Sequence, residues 1–568
     1  MPLPNRRTFF AGFLFIACCL SPRFCAGQQG GATASAGTSA PPPILEYIGK
    51  GWDVLTRSMK DCATVTDSKL ATASVLYVPA DFPVTDELHA MEKRCGAEIH
   101  ALPRVIHRLG EIDTNTIYPH GLLYLPNRYV VPGGRFNEMY GWDSYFIVRG
   151  LLSDRRIELA RGMVENFYFE IEHYGSFLNA NRTYYLSRAQ QPFLTSMILA
   201  VYYAEKGMGK EDRDWIARGF EYAVRDHDMW LEPEMRAGET GLSHYFDFGE
   251  GPAPESLKDE KDHYRKVVEY FLDHPEQGAG RFVGRLPGEK TALGPGTMYG
   301  LQLCDIPRTM ERPHCGELKE FTLSADFYKG DRAMRESGFD ISFRFGPFGA
   351  DTHHYAAVCL NSLLYKTEMD LAEMGEILGK NADALAWRKK ADARRTAMRR
   401  YLWDEAKGEF FDYDYRKNTR SSYEYITTFY PLWAGLATTE QAKAVAANLK
   451  DFEQAGGAVM SPYKTGAQWD MPYAWAPTQM ILVEGLRRYG YKEDADRIAF
   501  KFAGMIAENY AKEGYIVEKY DAVTRSTDAA VTSGYSINVI GFGWTNAAYL
   551  EFLRGLPEAK RAELEKIH

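Results

Sequence analysis

The chain has 568 residues, 45% hydrophobic and 25% charged, with a formal net charge of −9. That balance describes a globular protein with enough apolar mass for a large core and excludes a disordered chain. Basic residues are scattered, so the electrostatic footprint that nucleic acid requires is missing.

The N-terminus places Arg6-Arg7 ahead of Phe9-Phe10 and an apolar run from Ala11 to Leu20. A charged segment followed by an apolar stretch of this length reads as an export signal, and it is too short for a permanent membrane anchor. The paired arginines resemble a bacterial twin-arginine signal. We therefore expect residues 1–26 to be an export signal and 27–43, ending in Pro41-Pro42-Pro43, a flexible leader. Residues 44–568 would then be one folded domain in a periplasmic or secreted protein, with no membrane contact in the mature form. Past the signal stand Cys62, Cys95, Cys304, Cys315 and Cys359, an odd number that leaves at least one unpaired. In an oxidising compartment Cys62 could join Cys95 and Cys304 could join Cys315; five buried thiols are the alternative.

Beyond residue 150 the apolar spacing predicts helices at Ile157 to Tyr174, Phe193 to Gly207, Trp215 to Leu231, Tyr355 to Leu378 and Asn381 to Trp403, with more after residue 438. Asn381 is an expected N-cap, and Thr438 with Gln441 reads as a capping box. Long amphipathic helices with short connections imply stacked helical hairpins, either a solenoid or a closed ring. Residues 257–335 break the pattern with turn-rich stretches such as Leu293-Gly-Pro-Gly, and we expect an irregular insertion there.

Three segments combine hydrogen-bonding and stacking groups in the way a hexose requires. They run from Pro132 to Tyr145, from Arg335 to Asp340, and from Gln468 to Pro477. Aromatics make up 14% of the chain; most must be core, but flat faces beside carboxylates suit sugar rings.

The first and third of these segments resemble the two diagnostic motifs of the trehalase family. Asn179 to Gln190, Val517-Glu518-Lys519-Tyr520-Asp521 and Gly541-Phe-Gly-Trp544 resemble further family blocks, in the family's order. The resemblance implies an all-α (α/α)6 toroid that hydrolyses a small disaccharide, trehalose first, with inversion and with neither cofactor nor metal. It implies that Asp340 is the general acid and Glu518 the general base. Inversion needs this pair, one carboxyl protonating the glycosidic oxygen and the other activating water on the opposite face. Arg135, Phe136, Trp142, Asp143, Asn179, Arg188, Glu255, Gly338, Gln468, Trp469 and Asp470 match positions around the sugars. The oligomeric state is left open.

Three positions depart from the family pattern. Ala253 stands where a substrate-contacting Arg is usual, Tyr535 stands near a usual Glu, and Ala474 replaces a Gly. If the first two replace a charged pair, the site for the departing glucose should be looser, unless Arg308 or Arg312 supplies the cation. The alternatives are an inverting α-glucosidase for another glucobiose or oligosaccharide and, further off, a sugar-binding protein on the same toroid.

Overall fold

The computed structural model describes residues 41–66, 74–259, 262–285, 301–304, 318–535 and 537–567. The first helix, α1, runs Ile44–Leu55 and buries Ile44, Ile48, Trp52 and Leu55 on one stripe. Before the main body, strand Val75–Val78 pairs in parallel with Glu98–Ala101 and Leu122–Leu123. A Cys62–Cys95 disulfide staples this region. Cys359 is a buried free thiol; the expected Cys304–Cys315 pair, like Arg308 and Arg312, lies outside the described residues.

The body is built from helices α2 (Gly141–Ser153), α3 (Ile157–Tyr174), α4 (Leu194–Gly207) and α5 (Arg213–Met229). There follow α6 (Ala325–Glu336), α7 (Val358–Leu378), α8 (Asn381–Tyr401), α9 (Tyr430–Ala434) and α10 (Thr439–Ala447). The last are α11 (Ala476–Arg488), α12 (Lys492–Glu513) and α13 (Gly543–Gly555). Neighbour packing closes a ring, α2 on α4, α4 on α7, α7 on α9, α9 on α11, α11 on α13 and α13 back on α2. Helices α3, α5, α8 and α12 pack outside it, and α1 lies against α13. This is an (α/α)6 toroid.

Sequence separates the two layers. The inner helix α2 buries Gly141 to Val148 without a break, whereas the outer α8 buries only Ala384, Trp387, Ala391, Arg394 and Met398. A helix apolar all round belongs inside, and a striped one belongs on the rim. The Thr438 and Gln441 capping box is present. Asn381 is not an N-cap: Lys380 holds that position and Asn381 is the first helical residue, without a capping bond.

Among its described residues the insertion is not irregular. It holds a helix, His263–Asp273, then a three-stranded antiparallel sheet with Leu318–Leu323 between Val283–Arg285 and Leu301–Cys304, and then α6. The periodicity signal failed at α6 for a physical reason. Its buried residues include Asp331, Arg332, Arg335 and Glu336 beside Phe327, Tyr328 and Met334, so buried ionic groups interrupt the apolar stripe.

Candidate active site

First turns of the inner helices meet at one cavity. Trp142 and Asp143 come from the start of α2 and Trp544 from the start of α13. Glu518 precedes strand Lys519–Asp521, which pairs antiparallel with Tyr473–Trp475 just ahead of α11. Asp340 follows the C-terminus of α6.

The cavity is lined by Asp340, Glu518, Arg135, Phe136, Trp142, Asp143, Asn179, Arg188, Glu255, Gly338 and Trp469, all singled out from sequence. Gly338 has φ +76°, and a Cβ there would stand 2.9 Å from the Trp142 ring. Glycine is therefore required for the chain to pass this close to the ring. Trp142 and Trp469 lie 5.7 Å apart, and Trp469 stacks on Trp475 at 3.9 Å. The two indoles serve both as cavity wall and as core.

Asp340 and Glu518 sit in different surroundings. Glu518 is 2% exposed. Burial raises its carboxyl above the usual range, against the pull of Lys519, the Tyr535 hydrogen bond and Arg135. The Tyr535 hydroxyl donates to Glu518 Oε1 at 2.6 Å, and Glu518 Oε2 is buried without a hydrogen bond. Asp340 has a side chain 29% exposed, with Arg335 Nη1 3.9 Å from Oδ2. Asp143 is pushed well above the carboxylate range, by burial first and then by the charges of Glu518 and Asp340. Like charges gathered in one low-dielectric space each make the ionisation of the others more costly.

Arg188 is 2% exposed. One end of its guanidinium donates to Glu255 Oε1, and Nη1 lies 3.8 Å from Asp247. Its Nε and Nη1 are buried without hydrogen-bond partners, as is Glu255 Oε2.

Two residues expected around the sugars stand behind the wall. Gln468 is 1% exposed and donates from its side chain to the Asp340 carbonyl oxygen. Asp470 is fully buried and accepts from Thr465 Oγ1 at 2.7 Å, Ser461 Oγ at 2.8 Å, the Tyr423 hydroxyl at 2.9 Å and Phe343 N–H at 3.1 Å. Burial lifts its carboxyl to about 6. These four donors make it the knot of the Ser461 to Asp470 loop.

Sequence reasoning did not assign Pro132, Tyr140, Tyr185, Gln190, Arg335, Tyr535, Ile537, Phe542 and Trp544, which also line the cavity. Arg335 bears on the Ala253 departure. Its Nε lies 3.3 Å from Asp331, which accepts from the Tyr264 hydroxyl at 3.0 Å, and that hydroxyl accepts from Ala253 N–H at 2.7 Å. A guanidinium therefore reaches the neighbourhood of residue 253 from α6. The sequence held one signal for it: Arg335 opens the Arg335 to Asp340 segment, which already stood out for its mix of hydrogen-bonding and stacking groups. Tyr535 does not pair with residue 253; its hydroxyl goes to Glu518.

Among the described residues one group has metal-ligand spacing, Asp326, His353 and His354, with ligand atoms within 4.8 Å of one another. It lies at the other end of α6 from Arg335 and outside the cavity. Arg281 pairs with Asp326 and with the neighbouring Asp351, each at 2.5 Å.

The comparisons with known proteins agree with this geometry. The Trehalase family model matches residues 50–278 and 302–557. A probable trehalase of Saccharomyces cerevisiae is 38% identical over 77% of this chain and 56% of its own length. A cytosolic neutral trehalase of the same yeast is 35% identical over 90% of this chain and 71% of its own. The chain thus spans little more than half the length of the first relative. The solved structure of neutral trehalase Nth1 from Saccharomyces cerevisiae is 32% identical, with a TM-score of 0.73, over 92% of this chain and 96% of that one. The chain belongs to the trehalase family.

Proposed function

We propose that this protein hydrolyses trehalose to two glucose molecules with inversion, Asp340 acting as general acid and Glu518 as general base. The observation that carries the reading is the convergence of both carboxyls on one cavity whose buried walls hold unfilled hydrogen-bonding atoms. Arg188 Nε and Nη1, Glu255 Oε2 and Glu518 Oε2 are all of this kind. A buried polar group without a partner costs about 1–3 kcal/mol. Sugar hydroxyls would satisfy the arginine and Glu255, and the attacking water would satisfy Glu518.

The chemistry follows from the arrangement. Asp340 gives its proton to the glycosidic oxygen, which otherwise leaves as a poor alkoxide. Glu518 takes a proton from water as the water attacks the anomeric carbon from the opposite face. The two glucose units of trehalose are both α-linked, so inversion releases one as the β anomer and the other as α. Arg335 takes over, from α6, the cationic role that Ala253 has given up. Anomer-resolved NMR on a panel of disaccharides tests the reading. Trehalose should be cleaved fastest with α- and β-glucose appearing together in equal amounts before mutarotation, and faster cleavage of another glucobiose would transfer the assignment to that substrate.

Export to the periplasm or medium belongs to the same proposal. The Arg6-Arg7 signal and the Cys62–Cys95 disulfide support it, because such bonds persist in oxidising compartments. No helix of the described residues is long and apolar enough to cross a membrane. N-terminal sequencing of the protein from cell fractions tests it: a mature end near residue 27 outside the cytoplasm is expected, and an intact Met1 in the cytoplasm would refute it.

A further inference from the structure

A chain of side chains, Gln468 and Lys519 behind the cavity wall and Tyr535 in it, joins the two carboxyl-bearing segments. Gln468 donates from Nε2 to the carbonyl oxygen of Asp340 and accepts at Oε1 from Lys519 Nζ at 3.0 Å. Lys519, fully buried, also donates to the Tyr535 carbonyl at 3.0 Å, with its ammonium 3.9 Å from the centre of the Tyr535 ring. The Tyr535 hydroxyl closes the path on Glu518 Oε1. The loop carrying Tyr535 is laced to the same frame. Gln468 N–H donates to Ser533 at 3.1 Å, and Asn538 both accepts from Lys519 N–H at 3.1 Å and donates to its carbonyl at 2.8 Å. Gly534, at φ +121°, allows the close approach, since a Cβ there would sit 2.7 Å from Gln468 Cδ.

We propose that Gln468, Lys519 and Tyr535 form a strut that sets the distance between the acid and the base, and that Tyr535 is the positioning residue through which the strut holds Glu518. The proposal rests on Asp340 and Glu518 being the acid and base. An ammonium buried at the centre of the strut is costly unless its donors are used, and here they grip one group on each side. Tyr535 occupies Oε1 of Glu518, which leaves Oε2, without a hydrogen bond, as the atom that receives the water's proton.

The test uses the full chain with Tyr535→Phe, which removes one oxygen, and Lys519→Met, each measured for kcat, KM and pH profile on trehalose. Tyr535→Phe should lower kcat by roughly 10-fold to 100-fold with little change in KM, the cost of a misplaced reacting group. It should also move the acidic limb of the profile to higher pH, because Glu518 loses a hydrogen bond that favours its ionised form. Lys519→Met should act in the same direction. The double variant should be no worse than the poorer single, because both break one device. If Lys519→Met fails to fold, Tyr535→Phe decides alone. A wild-type kcat and limb in Tyr535→Phe, a loss confined to KM, or losses that multiply in the double variant would overturn the strut. Glu518→Gln run beside them separates the two layers: activity retained there refutes the base itself, whereas a dead Glu518→Gln with a normal Tyr535→Phe refutes only the strut.

Discussion

The two walls of the cavity are built differently. One wall comes from the inner ring, where Trp142, Asp143 and Glu518 sit on or beside helices and strands that are buried on every side. The other comes from the segment between Ala253 and Asp340, where Arg335 lies in α6 and Asp340 just beyond it, a helix that buries ionic groups beside apolar ones. The ring wall holds residues that the sequence motifs pointed to. On the α6 wall the cation near residue 253 comes from another element.

The most severe way to break this comparison is to remove the chemistry that both walls share. Asp340→Asn and Glu518→Gln should each cut turnover by about 10²–10⁴ or more, with circular dichroism and melting temperature close to wild type. A modest loss in either variant would take that residue out of the mechanism.

The next test concerns the α6 wall alone. Arg335→Met removes the guanidinium beside Asp340, and a hydrogen bond to a charged group is worth about 1.5–3 kcal/mol. KM for trehalose should therefore rise roughly 10-fold to 100-fold, by more than kcat falls. Ala253→Arg in the wild-type background should worsen binding, because it forces a second guanidinium into a fully buried position near Arg335. In the Arg335→Met background it should recover part of the loss. An unchanged KM in Arg335→Met would return the question to the arginines of the insertion. Pairing Ala253→Arg with Tyr535→Glu, attractive from sequence alone, should inactivate the enzyme, because the new carboxylate would stand against Glu518.

The ring wall is probed by pH. Burial raises Glu518 above the ordinary glutamate value of about 4.3. A general base works only when ionised, so activity is complete above its pKa and is lost as pH falls through it. The acidic limb of kcat/KM should therefore lie above that ordinary value, and a limb at or below it would mean that Glu518 is solvated in the working enzyme.

Sequence carried the ring well because its signals are local and physical. The α3 boundaries, Ile157 and Tyr174, follow from a 3.6-residue apolar period, and the Thr438 box needs only two residues three apart. The chemistry-bearing residues of the ring wall were legible because they stand in long ordered motifs. The insertion was not, because Asp331, Arg332 and Arg335 are buried through partners distant in sequence, which no periodicity records. Gln468 and Asp470 were misplaced for a related reason. A motif shows that a polar residue is used, but not whether its hydrogen bonds face a substrate or a neighbouring loop.

That distinction makes Asp470 the finest test, with the smallest expected effect on catalysis. Its oxygens accept four hydrogen bonds inside the protein, so they have little capacity left for a sugar. Asp470→Ala would leave buried donors unsatisfied, each at about 1–3 kcal/mol, and should lower the melting temperature clearly. KM for trehalose should stay within about twofold for the fraction that remains folded, measured well below the transition. Asp470→Asn should lie between the two, since an amide keeps one acceptor oxygen but turns the other into a donor facing donors. Burial also lifts the Asp470 carboxyl to about 6. With the unfolded value near 3.9, the unfolded chain binds fewer protons between these limits, so wild-type stability should fall as pH rises from about 4 to about 6. Asp470→Asn should remove this contribution, flattening that part of the stability curve. A rise in KM at unchanged stability would instead return Asp470 to the sugar site and overturn the reading of its loop.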